Sequence, residues 1–154
     1  MGSKGREARR ARLELVLAHL LARGWLETTA SGSLRPSEAG EPWLAFLRAQ
    51  LQPLLEAYSA VARVVDETKG DAPRDALIKR AQESQREELL TGEARFPEGV
   101  CAVAAGNALE LLLHRGVVVA EGNPLRGETR FRKGPRFDAL EPLRTRLATA
   151  RDTR

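Results

Sequence analysis

The sequence predicts a mainly α protein with two short β-hairpins, built as tandem winged-helix-like units joined by a long kinked helix. Three observations predict it. Apolar residues recur at helical spacing in several long stretches. Two of these stretches stop at a glycine, Gly24 and Gly116, that is followed by a short β-prone segment. A pattern also occurs twice: Leu17-Ala18-His19-Leu20-Leu21-Ala22-Arg23-Gly24-Trp25-Leu26 lines up with Leu109-Glu110-Leu111-Leu112-Leu113-His114-Arg115-Gly116-Val117-Val118, with Arg-Gly at the same place in each.

The elements follow in order. Leu13, Val16, Leu17, Leu20 and Leu21 hold a helix that starts within residues 6–10 and ends at Gly24. Trp25-Leu26-Glu27-Thr28 reads as a strand, Ser31-Gly32-Ser33 as a turn, and Leu34-Arg35-Pro36 as the returning strand. Ser37 or Glu41-Pro42 opens the next helix, since Pro suits a first helical position. That helix runs from Trp43 through Phe46, Leu47, Leu51, Leu54, Leu55, Tyr58, Val61 and Ala62 to Val65. Pro53 removes one of its backbone bonds and predicts a kink near Ala49–Gln50, which would set Leu51, Leu54 and Leu55 against the first helix.

Lys69-Gly70-Asp71-Ala72-Pro73 reads as a linker, dividing the chain into units 1–68 and 69–154. A helix over 73–90 follows, with Leu77, Ile78, Ala81, Ser84 and Leu89 as its thin apolar face. Gly92 ends it, and Pro97-Glu98 opens a helix over 98–114 that Gly116 caps. Val117-Val118-Val119 and Thr129-Arg130-Phe131-Arg132 pair across a turn at Gly122-Asn123-Pro124. Phe137 to Leu147 is the last helix.

Composition limits what this fold does. With 42% apolar and 30% charged residues the chain can fill a core. No apolar run is long enough to span a bilayer, and the basic start lacks the features of a secretory signal. Met1-Gly2-Ser3 reads as a fragment or added start. Cys101 stands alone, which excludes an internal disulfide and fits a reducing, cytoplasmic setting, with a peripheral place at the inner membrane as the further expectation. The net charge of +4 is unevenly spread, with both ends basic and the middle acidic. A basic end can meet phosphate on nucleic acid or on lipid headgroups.

Catalytic chemistry is hard to place. His19 lies on an apolar helical face and His114 just before a capping glycine, and both read as packing or helix-end residues. Cys101 reads as a small core residue among Val and Ala. No glycine-rich phosphate loop follows a strand. The sequence predicts no catalytic residue, no cofactor site and no metal site. It does offer an anionic-surface candidate: Arg126, Arg130, Arg132, Lys133 and Arg136. Alternation along a strand places Arg130 and Arg132 on one face with Phe131 pointing to the core, and Lys133 and Arg136 would extend that surface.

Two segments resemble a known family. One is Leu51-Gln52-Pro53-Leu54-Leu55-Glu56-Ala57-Tyr58. The other runs from Leu77-Ile78-Lys79-Arg80-Ala81-Gln82 to Thr91-Gly92, then Phe96-Pro97-Glu98, and closes with Leu109 to Val118. In this order they resemble the C-terminal region of bacterial glycerol-3-phosphate acyltransferases, over roughly residues 43–118. That family's acyl transfer uses a His-x-x-x-x-Asp motif. Here Gly24 stands five after His19 and Val119 five after His114, so no catalytic residue carries over. The resemblance implies a non-catalytic region of a phospholipid-synthesis enzyme that stabilises, regulates or membrane-positions an acyltransferase catalytic domain, in cis or in trans. Such a chain would be inactive alone. Two other readings compete. A winged-helix nucleic-acid binder would suit the repeat and the basic ends, but the helices before each hairpin are Leu-rich and poor in groups that read bases. A protein-interaction module would use Trp25 and Trp43 as first anchors.

Overall fold

The computed structural model describes residues 3–122 and 129–152. Its helices are α1 (Ser3–Ala22), α2 (Glu41–Glu67), α3 (Arg74–Thr91), α4 (Ala102–His114) and α5 (Leu140–Asp152). Its strands are β1 (Leu26–Thr28), β2 (Leu34–Pro36), β3 (Ala72–Pro73), β4 (Val118–Glu121) and β5 (Arg130–Lys133). Short 3-10 turns at Pro97–Gly99 and Phe137–Ala139 precede α4 and α5. The protein is mainly helical with two small antiparallel sheets, as the periodicity predicts. Its compact units are Met1–Gln50 and Leu51–Arg154. They divide inside α2.

In the first unit, α1 begins at Ser3, earlier than the expected 6–10, and ends at Ala22, two residues before Gly24. Gly24 takes φ +68°, and its counterpart in the repeat, Gly116, takes φ +70°. Both copies thus end a helix with the left-handed residue that glycine adopts at least cost. β1 and β2 pair with Leu26 opposite Pro36 and Thr28 opposite Leu34. The hydroxyls of Thr29, Ser31 and Ser33 knit the turn between them. The Ser37 hydroxyl donates to the Gly24 carbonyl and accepts from the Gly40 N–H, joining the hairpin to the start of α2. Gly40 is fully enclosed there, and a Cβ at this position would overlap the Trp25 carbonyl.

The second unit carries the core. Val61 and Val65 of α2, Leu77 and Ala81 of α3, Leu109 and Leu112 of α4, Val118, Phe131, Leu140 and Leu147 pack into one buried cluster. The sheet beside it runs β3-β5-β4. Here the expected linker is corrected: Ala72 and Pro73 form a strand opposite Phe131 and Arg130. A two-residue edge strand has no readable period. Pro73 fits because an edge position leaves its missing N–H without consequence. The second hairpin is therefore two strands of a three-stranded sheet. The expected helix over 98–114 is also corrected. Pro97–Gly99 is a separate 3-10 turn, and α4 begins at Ala102 after the extended residue Cys101.

Pro53 lies within an unbroken α2. Leu55 packs on the core, whereas Leu51 and Leu54 are exposed. Along α2 the enclosed face is Glu56, Ala57, Ala60, Val61, Val64 and Val65. A contrast follows. Leu109→Ala, at a position with 0% exposure, should cost about 2–5 kcal/mol in urea unfolding. Leu54→Ala, at 42% exposure, should cost about 1 kcal/mol or less. Equal losses would show that Leu54 is covered.

Candidate functional site

The basic residues singled out by the sequence lie around β5, the central strand of the second sheet. Phe131 is buried, and its neighbours Arg130 and Arg132 share the opposite, exposed face. Arg126 lies outside the described residues. The two guanidiniums are not free. The Arg130 Nε–H donates to Asp71 Oδ1 at 2.7 Å, and the Arg132 Nη1–H donates to Asp71 Oδ2 at 2.6 Å. A further Arg132 bond, from Nε, reaches Glu121 Oε2 at 3.2 Å. Two cations thus meet two carboxylates, and the patch is locally neutral. The hydrogen bond from Arg130 holds the Asp71 carboxyl below its usual range, with both guanidinium charges adding to it. The bond to Glu121, then the charge of Asp71, raises Arg132 in turn.

Lys133 faces the other way. Its ammonium sits 5.1 Å from the centre of the Phe137 ring, a cation–π contact. Arg136 is exposed, and its methylene groups lie beside Gly116. The cluster expected to form one positive surface is therefore two groups: a neutralised pair on β5, and Lys133 and Arg136, which make no ion pair among the described residues.

Behind the sheet, buried polar groups tie the helices to the loops. Glu56 is enclosed, and its two carboxylate oxygens accept the Arg95 N–H at 3.0 Å and the Phe96 N–H at 3.2 Å. The glutamate of the Leu-Glu-x-Tyr segment thus fixes the loop ahead of Pro97. Arg63 of α2 pairs with the buried Glu88 of α3. Gln85 is buried beside Gly99, and a Cβ at Gly99 would press on the Pro53 carbonyl and the Gln85 amide. The residues that carried the resemblance hold this unit together.

The first unit has a different character. Trp25 and Trp43 stack with ring centres 5.3 Å apart and planes 7° from parallel, and the Arg23 guanidinium lies 5.9 Å from the Trp25 ring centre. Trp43, Phe46 and Leu47 are 53%, 57% and 43% exposed. They stand at i, i+3 and i+4, so they share one face of α2. Leu13 and Val16 are likewise exposed at i, i+3 on α1. The apolar spacing along α2 suggests a core stripe, and at Trp43, Phe46 and Leu47 the structure leaves that stripe exposed.

The remaining candidates settle simply. His19 is exposed in the last turn of α1, which fits the helix-end alternative rather than packing. The His114 Nδ1 lies 2.8 Å from the Glu110 carbonyl at the end of α4. Cys101 is half-buried rather than a core residue, because it precedes α4 instead of lying inside it. Among the described residues no three His, Cys, Asp or Glu side chains cluster to hold a metal ion, and no helix is long and apolar enough to cross a membrane. Sequence reasoning missed Asp71, which it placed in a linker. Its signal was the charge alternation with Arg130 and Arg132, readable only once β3 is recognised.

A family model, that of the glycerol-3-phosphate acyltransferase C-terminal region, matches residues 4–121. No curated protein matches the chain. The matched range takes in both hairpin-preceding helices and the Glu56 loop anchor, and it stops before β5.

Proposed function

This chain belongs to the glycerol-3-phosphate acyltransferase C-terminal region family, and from that premise we propose that it is a non-catalytic docking region for an acyltransferase catalytic domain. The observation that carries the reading is the open apolar surface of the first unit. Trp43, Phe46 and Leu47 present three large, half-exposed side chains on one helix face, with the Trp43 ring stacked on Trp25. Patches of this kind mark contact sites on proteins of this size. An amphipathic helix face with apolar anchors three and four residues apart is the form in which a helix enters a partner's groove. The catalytic domain, in cis or in trans, is the partner the family relation suggests. The task assigned to this chain is to stabilise and position that domain in phospholipid synthesis.

The winged-helix reading belongs to the same proposal. What supports it is the order helix, strand, two helices and hairpin from α2 to β5, with a three-stranded sheet. In that reading α4 would be the helix offered to a nucleic acid. Its exposed positions are Ala102, Val103, Asn107, Glu110 and His114, which include an acid and no Arg or Lys. That composition disfavours DNA as the partner.

The test is association. A Phe46→Glu, Leu47→Glu double variant should fold, because both positions are open, and should bind the catalytic domain at least tenfold more weakly in a pull-down or titration. Undiminished binding would remove the docking face. Neither form should transfer acyl groups alone.

A second reading places the chain at an anionic membrane. The absence of ion pairs at Lys133 and Arg136 among the described residues favours these two over Arg130 and Arg132 as the contact. Vesicle co-sedimentation then separates the pairs. Lys133→Glu, Arg136→Glu should lose pelleting on anionic vesicles at low salt, at about 1 kcal/mol per basic residue, while Arg130→Gln, Arg132→Gln should lose little. Failure of the wild-type chain to pellet would dismiss the membrane reading.

A further inference from the structure

The repeat read from the sequence is also a repeat of backbone bonding. In the first copy the N–H groups of Arg23, Gly24 and Trp25 donate to the carbonyls of His19, Leu21 and Leu20. In the second, those of Arg115, Gly116 and Val117 donate to Leu111, Leu113 and Leu112. The Trp25 carbonyl then accepts from Ser37, and the matching Val117 carbonyl accepts from Gly134. Helix end, glycine cap and hairpin are built alike, so α1 and α4 can be compared residue by residue.

The copies differ in what covers the helix. α4 turns Ala105, Ala108, Leu109 and Leu112 into the core. There α3 lies against it, bringing Leu77 and Ala81, and Val61 and Val65 of α2 complete the cluster. The matching residues of α1 are Leu13, Val16, Leu17 and Leu20, one apolar stripe at helical spacing. Leu13 and Val16 are 59% and 53% exposed, and Leu17 and Leu20 are only half-buried. Among the described residues of Met1–Gln50 no hydrophobic side chain is fully buried. A unit this small without a core of its own leaves its apolar surface for something outside it. Charge narrows the choice. From Lys4 to Glu14 the chain has five basic residues against two acidic.

We propose that the Leu13–Leu20 face of α1 is a docking surface for a pair of amphipathic helices, standing where α2 and α3 stand on α4 and acidic where they pass the basic first half of α1. Leu13 and Val16 replace the alanines of α4, so the incoming helices pack further from α1 than α3 does from α4. The pair belongs to the acyltransferase catalytic domain. This part rests on the docking reading above, and it adds to that reading a second contact face and the kind of element bound there.

Titration of the catalytic domain with the chain, followed by amide exchange, tests the proposal. On binding, the α1 amides from Arg12 to Ala22 should exchange about tenfold more slowly or better, and those of α4, already enclosed, should not change. Leu13→Glu, Val16→Glu should bind about tenfold more weakly or worse. Raising sodium chloride from about 50 to about 500 mM should weaken binding by the wild type. Ala18→Glu is the control for added charge. Ala18 is exposed on the opposite face of α1, where α4 carries the exposed Glu110, so this variant should bind as the wild type does. Unaltered α1 exchange on binding, undiminished binding by Leu13→Glu, Val16→Glu, or equal weakening by Ala18→Glu overturns the helix-pair proposal. Each of these leaves the docking reading intact if Phe46→Glu, Leu47→Glu still weakens binding. Failure of the wild-type chain to bind overturns both.

Discussion

Phe131→Ala should be the most damaging truncation in the second unit, costing about 3–5 kcal/mol in chemical denaturation. The side chain is 1% exposed and belongs to the central strand of the β3-β5-β4 sheet. It stands opposite Ala72 on one side and Ala120 on the other, two small residues that cannot fill the space it would vacate. A domain of this size has roughly 5–15 kcal/mol of total stability, so the loss is a large fraction of it. Phe131→Leu, which keeps most of the volume, should recover over half. A loss under about 1 kcal/mol for Phe131→Ala would mean that the sheet does not close the core.

Glu56→Ala should rank second, at about 2–4 kcal/mol, although the side chain is charged and the substitution leaves helix propensity unharmed. Its cost has a different origin. Two backbone N–H groups, at Arg95 and Phe96, lose the carboxylate that accepts them. The residue is enclosed, so the loss is not made good by solvent at that position. Glu56→Gln keeps one acceptor oxygen and turns an amide donor toward the second N–H, so it should fall between the wild type and Ala. Amide exchange at Arg95 and Phe96 gives the decisive reading. Both amides should be protected in the wild type despite lying in a loop, and both should exchange faster in Glu56→Ala. Unchanged exchange would assign the anchoring to another group.

Much of this fold is legible in the residues. Gly24 and Gly116 end their helices where the repeated Arg-Gly pattern put them. Pro42 opens α2, and Val118 and Phe131 turn inward as strand alternation requires. What escaped has physical reasons. Ala72-Pro73 is too short to show a period and contains the residue that most argues against a strand. Trp43, Phe46, Leu47, Leu51 and Leu54 keep perfect helical spacing, but periodicity reports an apolar face and not what covers it. The candidate cluster was half legible: alternation put Arg130 and Arg132 together, while their neutralisation by Asp71 depends on a residue about sixty positions away.

The stacked indoles of the first unit give the protein a built-in optical label. The chain has two Trp and one Tyr. Both Trp lie in Met1–Gln50, and Tyr58 lies in Leu51–Arg154. Rings 5.3 Å apart and nearly parallel couple their transitions, so the near-ultraviolet circular dichroism of the indole band reads the hairpin and the start of α2 and nothing else. Emission excited at the red edge of the absorption band, where tyrosine does not absorb, reads the same place. Far-ultraviolet ellipticity is carried by all five helices, most of whose residues lie in the second unit. A melt recorded in both channels therefore resolves the halves of the molecule without any added dye. Phe131→Ala, which acts only on the second unit, would separate the two curves if the halves unfold on their own and move them together if they do not.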